Sequence, residues 1–243
     1  MSRVAMSMGL ANYVLAGHPL HNQFIDAPRS TNQYPDWNLN VYETLEYATD
    51  LRHQMDGDWV LRLKATYREQ RKIFTDGYPT PGIGLNPITN RFSSYNRRTN
   101  DGTTERTGVD LYASGPVRLF GREHHLTFGY SSELYENINR GVNNVPYTGA
   151  PAGSGIAFPE AESVPRPDFV YNNGGHTRTE QTGLYGQGRF QIVDGLTVLL
   201  GARISDFESK FRNIAPNPRP TDFASQGKEE GVVTPYAGVV YSV

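Results

Sequence analysis

Strict alternation of apolar and polar residues constrains the fold of this chain more than any other feature. In residues 59–68, every second position is apolar or aromatic, and the positions between them include Arg62, Lys64 and Arg68. Successive side chains of a β-strand point to opposite faces of the sheet. The segment therefore predicts a strand with one apolar face and one cationic face.

The same two-residue period recurs along most of the chain. It predicts further strands at residues 4–10, 41–51, 109–118, 126–134, 184–192, 196–205 and 232–243. Together with residues 59–68, these segments make about eight strands and predict an all-β chain. A soluble sandwich also has one dry and one wet face on each strand, so the strands alone leave sandwich and barrel both open.

The connections between the predicted strands alternate in length. Residues 55–58, 120–123 and 193–195 are tight turns with a glycine, whereas residues 17–35, 76–102, 141–174 and 213–227 are long and rich in Pro, Gly, Asn and Ser. Long loops are uncommon in compact soluble domains, but outer-membrane barrels pair short periplasmic turns with long outer loops. The alternation therefore predicts a segment of an antiparallel up-and-down transmembrane β-barrel. The GIGLNP sequence of residues 82–87 is interpreted as loop punctuation.

Composition excludes several classes of protein and of site. The formal net charge is -2, so no overall positive field attracts nucleic acid. The chain has no cysteine, which excludes disulfides and thiolate metal sites. No apolar run approaches the roughly 18 residues of a membrane-spanning helix. His124 and His125 are adjacent in a predicted strand and point to opposite faces, so we expect no shared metal ion there.

Three stretches near the end of the chain carry a resemblance to a known family. They are TEQTGLYGQGRFQI at residues 179–192, a strand that contains Gly201 and Arg203, and the TPYAG sequence of residues 234–238. In this order and spacing they resemble the mid-barrel region of TonB-dependent ferric-siderophore receptors. The resemblance implies a 22-stranded barrel with a plugged lumen, of which about eight strands lie in this chain.

The resemblance also implies a location and partners. It implies the outer membrane of a Gram-negative bacterium, with residues 1–243 as a partial barrel domain that lacks the plug domain and the C-terminal strands. The implied partners are a ferric siderophore, outer-membrane lipid, and TonB through the absent plug. We expect no catalysed reaction, no cofactor and no metal site, since neither the carboxylates nor the serines lie in a motif that would activate them.

Aromatic and cationic residues of the long loops are the candidates for ligand contact. Aromatic faces and guanidinium groups suit a ferric chelate with net negative charge. The same residue types also form the interfacial girdle of a barrel, so packing competes with ligand binding at each position. The candidates are Tyr78, Arg91, Phe92, Tyr95, Arg97, Arg98, Tyr147, Phe158 and Tyr171, with Phe169 beside them.

Two other interpretations of the strand pattern remain open at this point. Eight is an allowed strand number for a complete small outer-membrane barrel, which would be an enzyme or an adhesion protein. A soluble β-sandwich that serves as a binding module is the third possibility. It predicts a chain that stays soluble without detergent, whereas a barrel segment with lipid-facing Trp59, Leu61 and Leu63 should aggregate.

Overall fold

The computed structural model describes residues 2–4, 12–28, 31–80 and 84–242, and nearly all of its regular structure is β. In chain order the strands are β1 (Ser2–Val4), β2 (Leu39–Gln54), β3 (Val60–Pro79), β4 (Leu85–Asn86), β5 (Arg91–Phe92), β6 (Tyr95–Leu119), β7 (Arg122–Tyr147), β8 (Ile156–Ala157), β9 (Asn173–Val193), β10 (Leu196–Asn213) and β11 (Ala224–Tyr241). Two short 3-10 helices, at Asp56–Asp58 and Ala161–Ser163, complete the regular structure of the described residues.

One antiparallel sheet contains the eight strands that the sequence predicts. Its order is β1-β2-β3-β6-β7-β9-β10-β11, so each long strand lies beside the next long strand of the chain. We call this sheet the wall. It is open, with β1 and β11 at its edges, and the described residues form neither a closed eight-stranded barrel nor a sandwich of two large sheets. Residues 5–10 of the first predicted strand lie outside the described residues.

The long strands extend well beyond the predicted boundaries. β6 has 25 residues and β7 has 26, whereas about 9–11 residues suffice to cross a bilayer. The pairing of β3 with β6 continues to Pro79 and Tyr95, inside the predicted loop of residues 76–102. Alternation reveals a strand only where one face is apolar, and both faces of these extensions carry polar residues. The predicted loop boundaries were therefore wrong, although the order of strands and connections was right.

The tight turns are present where glycines predicted them. Gly57, Gly121 and Gly195 all adopt positive φ angles, at 69°, 73° and 80° respectively. L-residues with a Cβ rarely adopt this backbone conformation, which explains the glycine in each turn. No helix of the described residues is long and apolar enough to cross a membrane.

The unbroken register of β3 and β6 defines two faces of the wall. The outer face carries Leu61 and Leu63 of β3, and the inner face carries Arg62 and Lys64. Each residue pairs with its β6 partner from Val60 to Pro79 without a bulge, so odd-numbered residues of β3 stay on the outer face throughout. An apolar outer face and a polar inner face match the lipid-facing and lumen-facing sides that the sequence predicts for a barrel wall.

The buried hydrophobic core of the described residues lies in the long connections. Its members are Ile25, Leu85, Phe92, Tyr95, Ile156, Ala161 and Val164. We call these residues the loop cluster. The two-residue strands β4, β5 and β8 form a small antiparallel sheet within it. The described part of the predicted loop punctuation, residues 84–87, is thus part of the buried core, because Leu85 is fully buried and pairs with Phe92.

The loop cluster packs against the outer face of the strand extensions. Trp37 lies over Gly77 of β3, where a Cβ atom would come within 2.8 Å of the indole ring. The indole nitrogen of Trp37 donates a hydrogen bond to the carbonyl of Val164 at 2.8 Å. The first and third long connections are therefore joined over the outer face of the extensions. These contacts leave the inner face of the same strands uncovered.

Candidate functional site

Aromatic and cationic side chains alternate on the inner face of the wall, near the long connections. The Lys72 ammonium lies 5.4 Å from the ring centre of Tyr42 and 5.1 Å from that of Phe74. The Arg98 guanidinium lies 5.1 Å from the ring centre of Phe74 and 4.8 Å from that of Tyr78. We call these five residues, Tyr42, Lys72, Phe74, Arg98 and Tyr78, the aromatic–cation ladder.

Strand register brings the ladder together from three strands. Tyr42 of β2 pairs with Lys72 of β3, and Arg98 of β6 pairs with Asp76 of β3. Directly opposed residues of neighbouring strands point to the same face, and every second residue of a strand does too. Lys72, Phe74 and Tyr78 therefore share the inner face with Lys64. Each cation meets an aromatic face at a distance typical of cation–π contacts.

The two cations of the ladder differ in how their charge is balanced. Arg98 donates bidentate hydrogen bonds of 2.7 and 2.9 Å to the carboxylate of Asp76, which is only 3% exposed. Hydrogen bonding to Asp76 raises the pKa of Arg98. Lys72 has no carboxylate within ion-pair distance in the described part of the chain. Lys72 is thus the uncompensated positive charge of the ladder.

Polar groups beside Lys72 are arranged around Tyr42. The amide nitrogen of Asn40 donates a 3.2 Å hydrogen bond to the Tyr42 hydroxyl. The hydrogen bond from Asn40, and then that from Lys72, lower the pKa of Tyr42. The side-chain oxygen Oδ1 of Asn40 is buried and accepts no hydrogen bond within the described residues. An unpaired buried acceptor costs free energy, and such atoms occur where a group from outside completes a site.

The ladder contains two of the predicted ligand contacts, Tyr78 and Arg98. Tyr78 also accepts a 2.8 Å hydrogen bond from the Asn96 amide, which fixes the hydroxyl end of its ring. Sequence reasoning missed Tyr42, Lys72 and Phe74. The signal for Lys72 and Phe74 is the continuation of the even-numbered series of β3 beyond Arg68, since both are in phase with Lys64. Tyr42 lies in the predicted strand of residues 41–51, on the face opposite Val41.

Three other predicted contacts lie in the loop cluster or pack against it. Phe92 packs edge to face on Tyr95 and Phe158, with ring centres 5.6 and 5.9 Å apart. The Tyr95 hydroxyl donates a 2.8 Å hydrogen bond to the carbonyl of Gln33, and burial raises the pKa of Tyr95. Phe92 and Tyr95 are 0% and 1% exposed, so packing occupies their surface in this conformation.

Arg97 and Tyr147, which were also predicted contacts, join the third long connection to the wall. The Arg97 guanidinium donates hydrogen bonds to the carbonyls of Val145, Pro146 and Pro165 at 3.1, 3.2 and 3.0 Å. It also lies 5.0 Å from the ring centre of Tyr147. Burial lowers the pKa of Arg97, which is 9% exposed. These contacts hold the connection in place.

The remaining predicted contacts lie apart from the ladder. Arg91 is exposed and donates a 3.1 Å hydrogen bond to the carbonyl of Gly155. Tyr171 and Phe169 line a cavity on the outer face. The nine predicted residues thus divide among the ladder, the loop cluster with the residues packed on it, the junction of Arg97 and Tyr147, and the outer surface. Their contact with a ligand remains a prediction.

The inner face below the ladder is polar and internally hydrogen-bonded. The Tyr185 hydroxyl donates a 2.8 Å hydrogen bond to Asp110, and Arg203 donates one of 2.9 Å to the Ser131 hydroxyl. A cavity of about 440 Å³ opens on this surface, and its lining includes Lys64 and Glu133. No group of three or more His, Asp or Glu side chains in the described residues could hold a metal ion.

Comparison with known proteins finds one family and a set of receptors. The family described as "TonB dependent receptor-like, beta-barrel" matches residues 7–243. The ferric-pyoverdine BN7/BN8 receptor of Pseudomonas putida is 32% identical over 224 residues, which cover 88% of this chain and 26% of that protein. The ferric-pyoverdine 358 receptor of the same species is 31% identical over 236 residues, with the same coverage of 88% and 26%.

Solved structures show the same arrangement of strands. The outer-membrane ferripyoverdine receptor of Pseudomonas aeruginosa, solved with ferripyoverdine bound, superposes with a TM-score of 0.72 at 20% identity. The match covers 97% of this chain and 29% of that one. The alcaligin outer-membrane receptor of Bordetella pertussis matches with a TM-score of 0.58 at 20% identity, over 86% of this chain and 28% of the other. These relatives are receptors rather than enzymes.

Proposed function

Because the chain belongs to the TonB-dependent receptor β-barrel family, we propose that it forms part of the barrel of a ferric-siderophore uptake receptor. The family consists of outer-membrane β-barrels of Gram-negative bacteria, and the wall is a segment of such a barrel. The chain spans about a quarter of the length of its curated relatives, at 26%. Transport, the chelate and coupling to TonB are therefore proposals about the whole receptor.

The aromatic–cation ladder is the observation that carries this proposal. It lies on the inner face, at the end of the wall where the long connections gather, so it faces a ligand that enters from outside. A ferric siderophore offers flat oxygen-donor groups and often a net negative charge, which suit ring faces and cations. Lys72 supplies a charge that no carboxylate of the described residues neutralises, and Asn40 supplies an unpaired acceptor.

The chelate is proposed to be of the pyoverdine type. The two curated relatives described above are both named as ferric-pyoverdine receptors. The ladder suits a chelate that carries flat ring groups and anionic oxygens, because the partly exposed rings of Phe74 and Tyr78 can contact ring groups while Lys72 meets the anionic oxygens. Tyr78 and Arg98 would then contact the ligand, as the sequence predicted. Arg91, Tyr171 and Phe169 would not belong to this contact surface.

Removal of the Lys72 charge tests the ladder directly. In the full-length receptor, Lys72→Met keeps most of the aliphatic stem and leaves no carboxylate unpaired. We expect the Kd for ferric pyoverdine to rise about tenfold, as for the loss of one charge contact of roughly 1.4 kcal/mol. The titration would follow fluorescence quenching of purified receptor in detergent. Lys72→Arg should retain most of the affinity, because it keeps the charge.

Lys210→Met is the matched control for this experiment. Lys210 lies on the outer face of β10, where it pairs with Glu208 at 2.8 Å. Its removal should leave the Kd unchanged. Equal affinities of Lys72→Met and the wild-type receptor would reject the ladder as the binding surface. A receptor that binds no ferric siderophore at all would reject the proposed function itself.

A further inference from the structure

A buried histidine joins three strands of the wall beside the fourth long connection, which covers residues 214–223 in the structure. His176 of β9 is 7% exposed, and Arg212 of β10 lies directly opposite it in the strand register. Its Nε2 atom lies 3.2 Å from the Oε1 atom of Glu136 in β7. Its Nδ1 atom lies 3.3 and 3.1 Å from the Nε and Nη2 atoms of Arg212. The imidazole is therefore held between a carboxylate and a guanidinium group.

The hydrogen-bond partners of His176 fix the protonation state of its ring. A guanidinium group can only donate hydrogen bonds, so the Nδ1 atom of His176 accepts them and carries no proton. An ionised carboxylate only accepts, so the Nε2 atom carries the proton and donates a hydrogen bond to Glu136. Only the neutral ring satisfies both contacts together. A second proton would place an N–H group of a cation against the Arg212 guanidinium.

Arg212 connects this ring to the fourth long connection. Its guanidinium lies 4.5 Å from the ring centre of Phe223, the last residue of the connection. The ring of Phe223 also lies edge to face on His176, with ring centres 5.0 Å apart. The contact of Phe223 with the wall therefore depends on the two side chains whose hydrogen bond requires a neutral imidazole.

Other parts of the connection are held by contacts that do not depend on protonation. The backbone N–H of Ile214 donates a 3.1 Å hydrogen bond to the Gly174 carbonyl, and that of Thr221 donates one of 3.1 Å to the Asn213 carbonyl. A change of charge at His176 therefore acts on Phe223 rather than on the whole connection.

His176 lies on the outer face of the wall, away from the lipid-facing row. Directly opposed partners join Lys64 of the inner face to Gly183 of β9, so odd-numbered residues of β9 share the inner face. His176 is even-numbered and thus lies on the outer face with Leu184. It is eight residues from Leu184, about 26 Å at 3.3 Å per residue. The ring is therefore close to the long connections, where its protonation follows the pH of the medium.

The charged residues nearest to His176 in register or sequence come from every adjoining element. They are Glu136 and Arg140 of β7, Arg178 of β9, Lys210 and Arg212 of β10, and Asp222 of the connection. Arg178 and Lys210 each pair with a carboxylate two residues away on the same strand. Glu136 would keep a protonated ring in place by charge attraction, whereas Arg212 would be repelled from it.

We propose that protonation of His176 releases Arg212, and with it the ring of Phe223, from the outer face of the wall. Histidine is the side chain whose charge ordinarily changes between about pH 5 and about pH 8. In the neutral state Arg212 stays bonded and Phe223 stays packed. In the protonated state the imidazole keeps its contact with Glu136 alone. This pH-sensitive contact is independent of any chelate on the inner face.

A spin label next to Phe223 tests the proposal in the full-length receptor in detergent. The label is attached at Asp222→Cys, an exposed position, and electron paramagnetic resonance follows its mobility from about pH 8 to about pH 5. We expect the ratio of mobile to immobile label to rise about tenfold and reversibly, as for the loss of one charge-assisted hydrogen bond. In His176→Gln the amide can accept from Arg212 and donate to Glu136 but takes up no proton, so the ratio should stay constant.

Two matched controls locate the effect. His125→Gln removes an exposed histidine at the opposite end of the wall and should keep the wild-type pH dependence. A label at Ile88→Cys, an exposed position between β4 and β5, should have the same mobility at both pH values. An unchanged ratio in the wild type, or a wild-type pH dependence in His176→Gln, would overturn the proposal. Equal rises in mobility at both labels would overturn it too, because acid would then loosen the connections in general.

Discussion

In the loop cluster the side chains of Leu85 and Phe92 are fully buried, whereas in the wall Leu184 and Val239 are 63% and 69% exposed. Both regions contain β structure, but their apolar side chains differ in how far they are exposed. The loop cluster satisfies its apolar residues by contact with one another across three long connections. The wall has one layer, and beyond the strand extensions no described residue covers its apolar outer face, as expected of a face that contacts lipid.

This difference explains which predicted contact residues are packed and which remain uncovered. The cluster fixes the long connections over the outer face of the extensions, and it thereby leaves the ladder uncovered on the inner face. Phe92 and Tyr95 pack rather than face solvent, while Tyr78 and Arg98 remain beside the lumen. Four substitutions distinguish the stability of the loop cluster from that of the wall, and their expected effects differ in size.

Truncation of the central ring of the cluster should have the largest effect. Phe92→Ala removes the ring that Tyr95 and Phe158 contact. We expect a loss of about 3–5 kcal/mol in the stability of the cluster, as for other buried Phe truncations. Hydrogen exchange should accelerate in β4, β5 and β8 and stay unchanged in β10. Phe120→Ala, at a side chain that is 99% exposed, is the matched control.

A charge on the outer face of the wall should destabilise the wall and leave the cluster intact. Leu184→Arg places a guanidinium in the lipid-facing row, at a cost of about 2–4 kcal/mol. Thr66→Arg places the same group on the inner face, where it should cost little. Thermal unfolding in lipid vesicles would compare the two variants. Equal destabilisation by both would mean that the faces were assigned wrongly.

Loss of the Arg97 hydrogen bonds should destabilise the third long connection. Arg97→Lys can replace only part of the three hydrogen bonds to backbone carbonyls, so the cluster should lose about 2 kcal/mol. Limited proteolysis should then cut residues 148–172 faster than in the wild type. Arg91→Lys, which loses one hydrogen bond at an exposed site, should not change the cleavage rate.

The smallest effect is expected at Trp37. Trp37→Phe keeps a ring over Gly77 and removes the hydrogen bond to the Val164 carbonyl. The cost should be about 1 kcal/mol. The rate of amide hydrogen exchange near Val164 would measure this loss of stability. An effect as large as that of Phe92→Ala would show that Trp37, and not the aromatic core, holds the connections together.

Sequence alone predicts the wall well because local alternation encodes it. Arg62 and Lys64 identify the inner face within a few residues, and glycines mark the tight turns. The loop cluster is not predictable in this way. Its strands have two residues, and its key contacts join distant positions, such as Tyr95 with Gln33 and Trp37 with Val164. The ladder lies between these cases, since its β3 members are in phase with Lys64 but lie beyond Arg68, where the regular alternation of the predicted strand ends.

The central claim is that the inner-face ladder receives the ferric chelate. Amine-reactive labelling of the full-length receptor, with and without ferric pyoverdine, tests it residue by residue. We expect the chelate to protect Lys72 from modification and to leave the labelling of the outer-face Lys210 unchanged. Equal labelling of Lys72 in the bound and free receptor would contradict it.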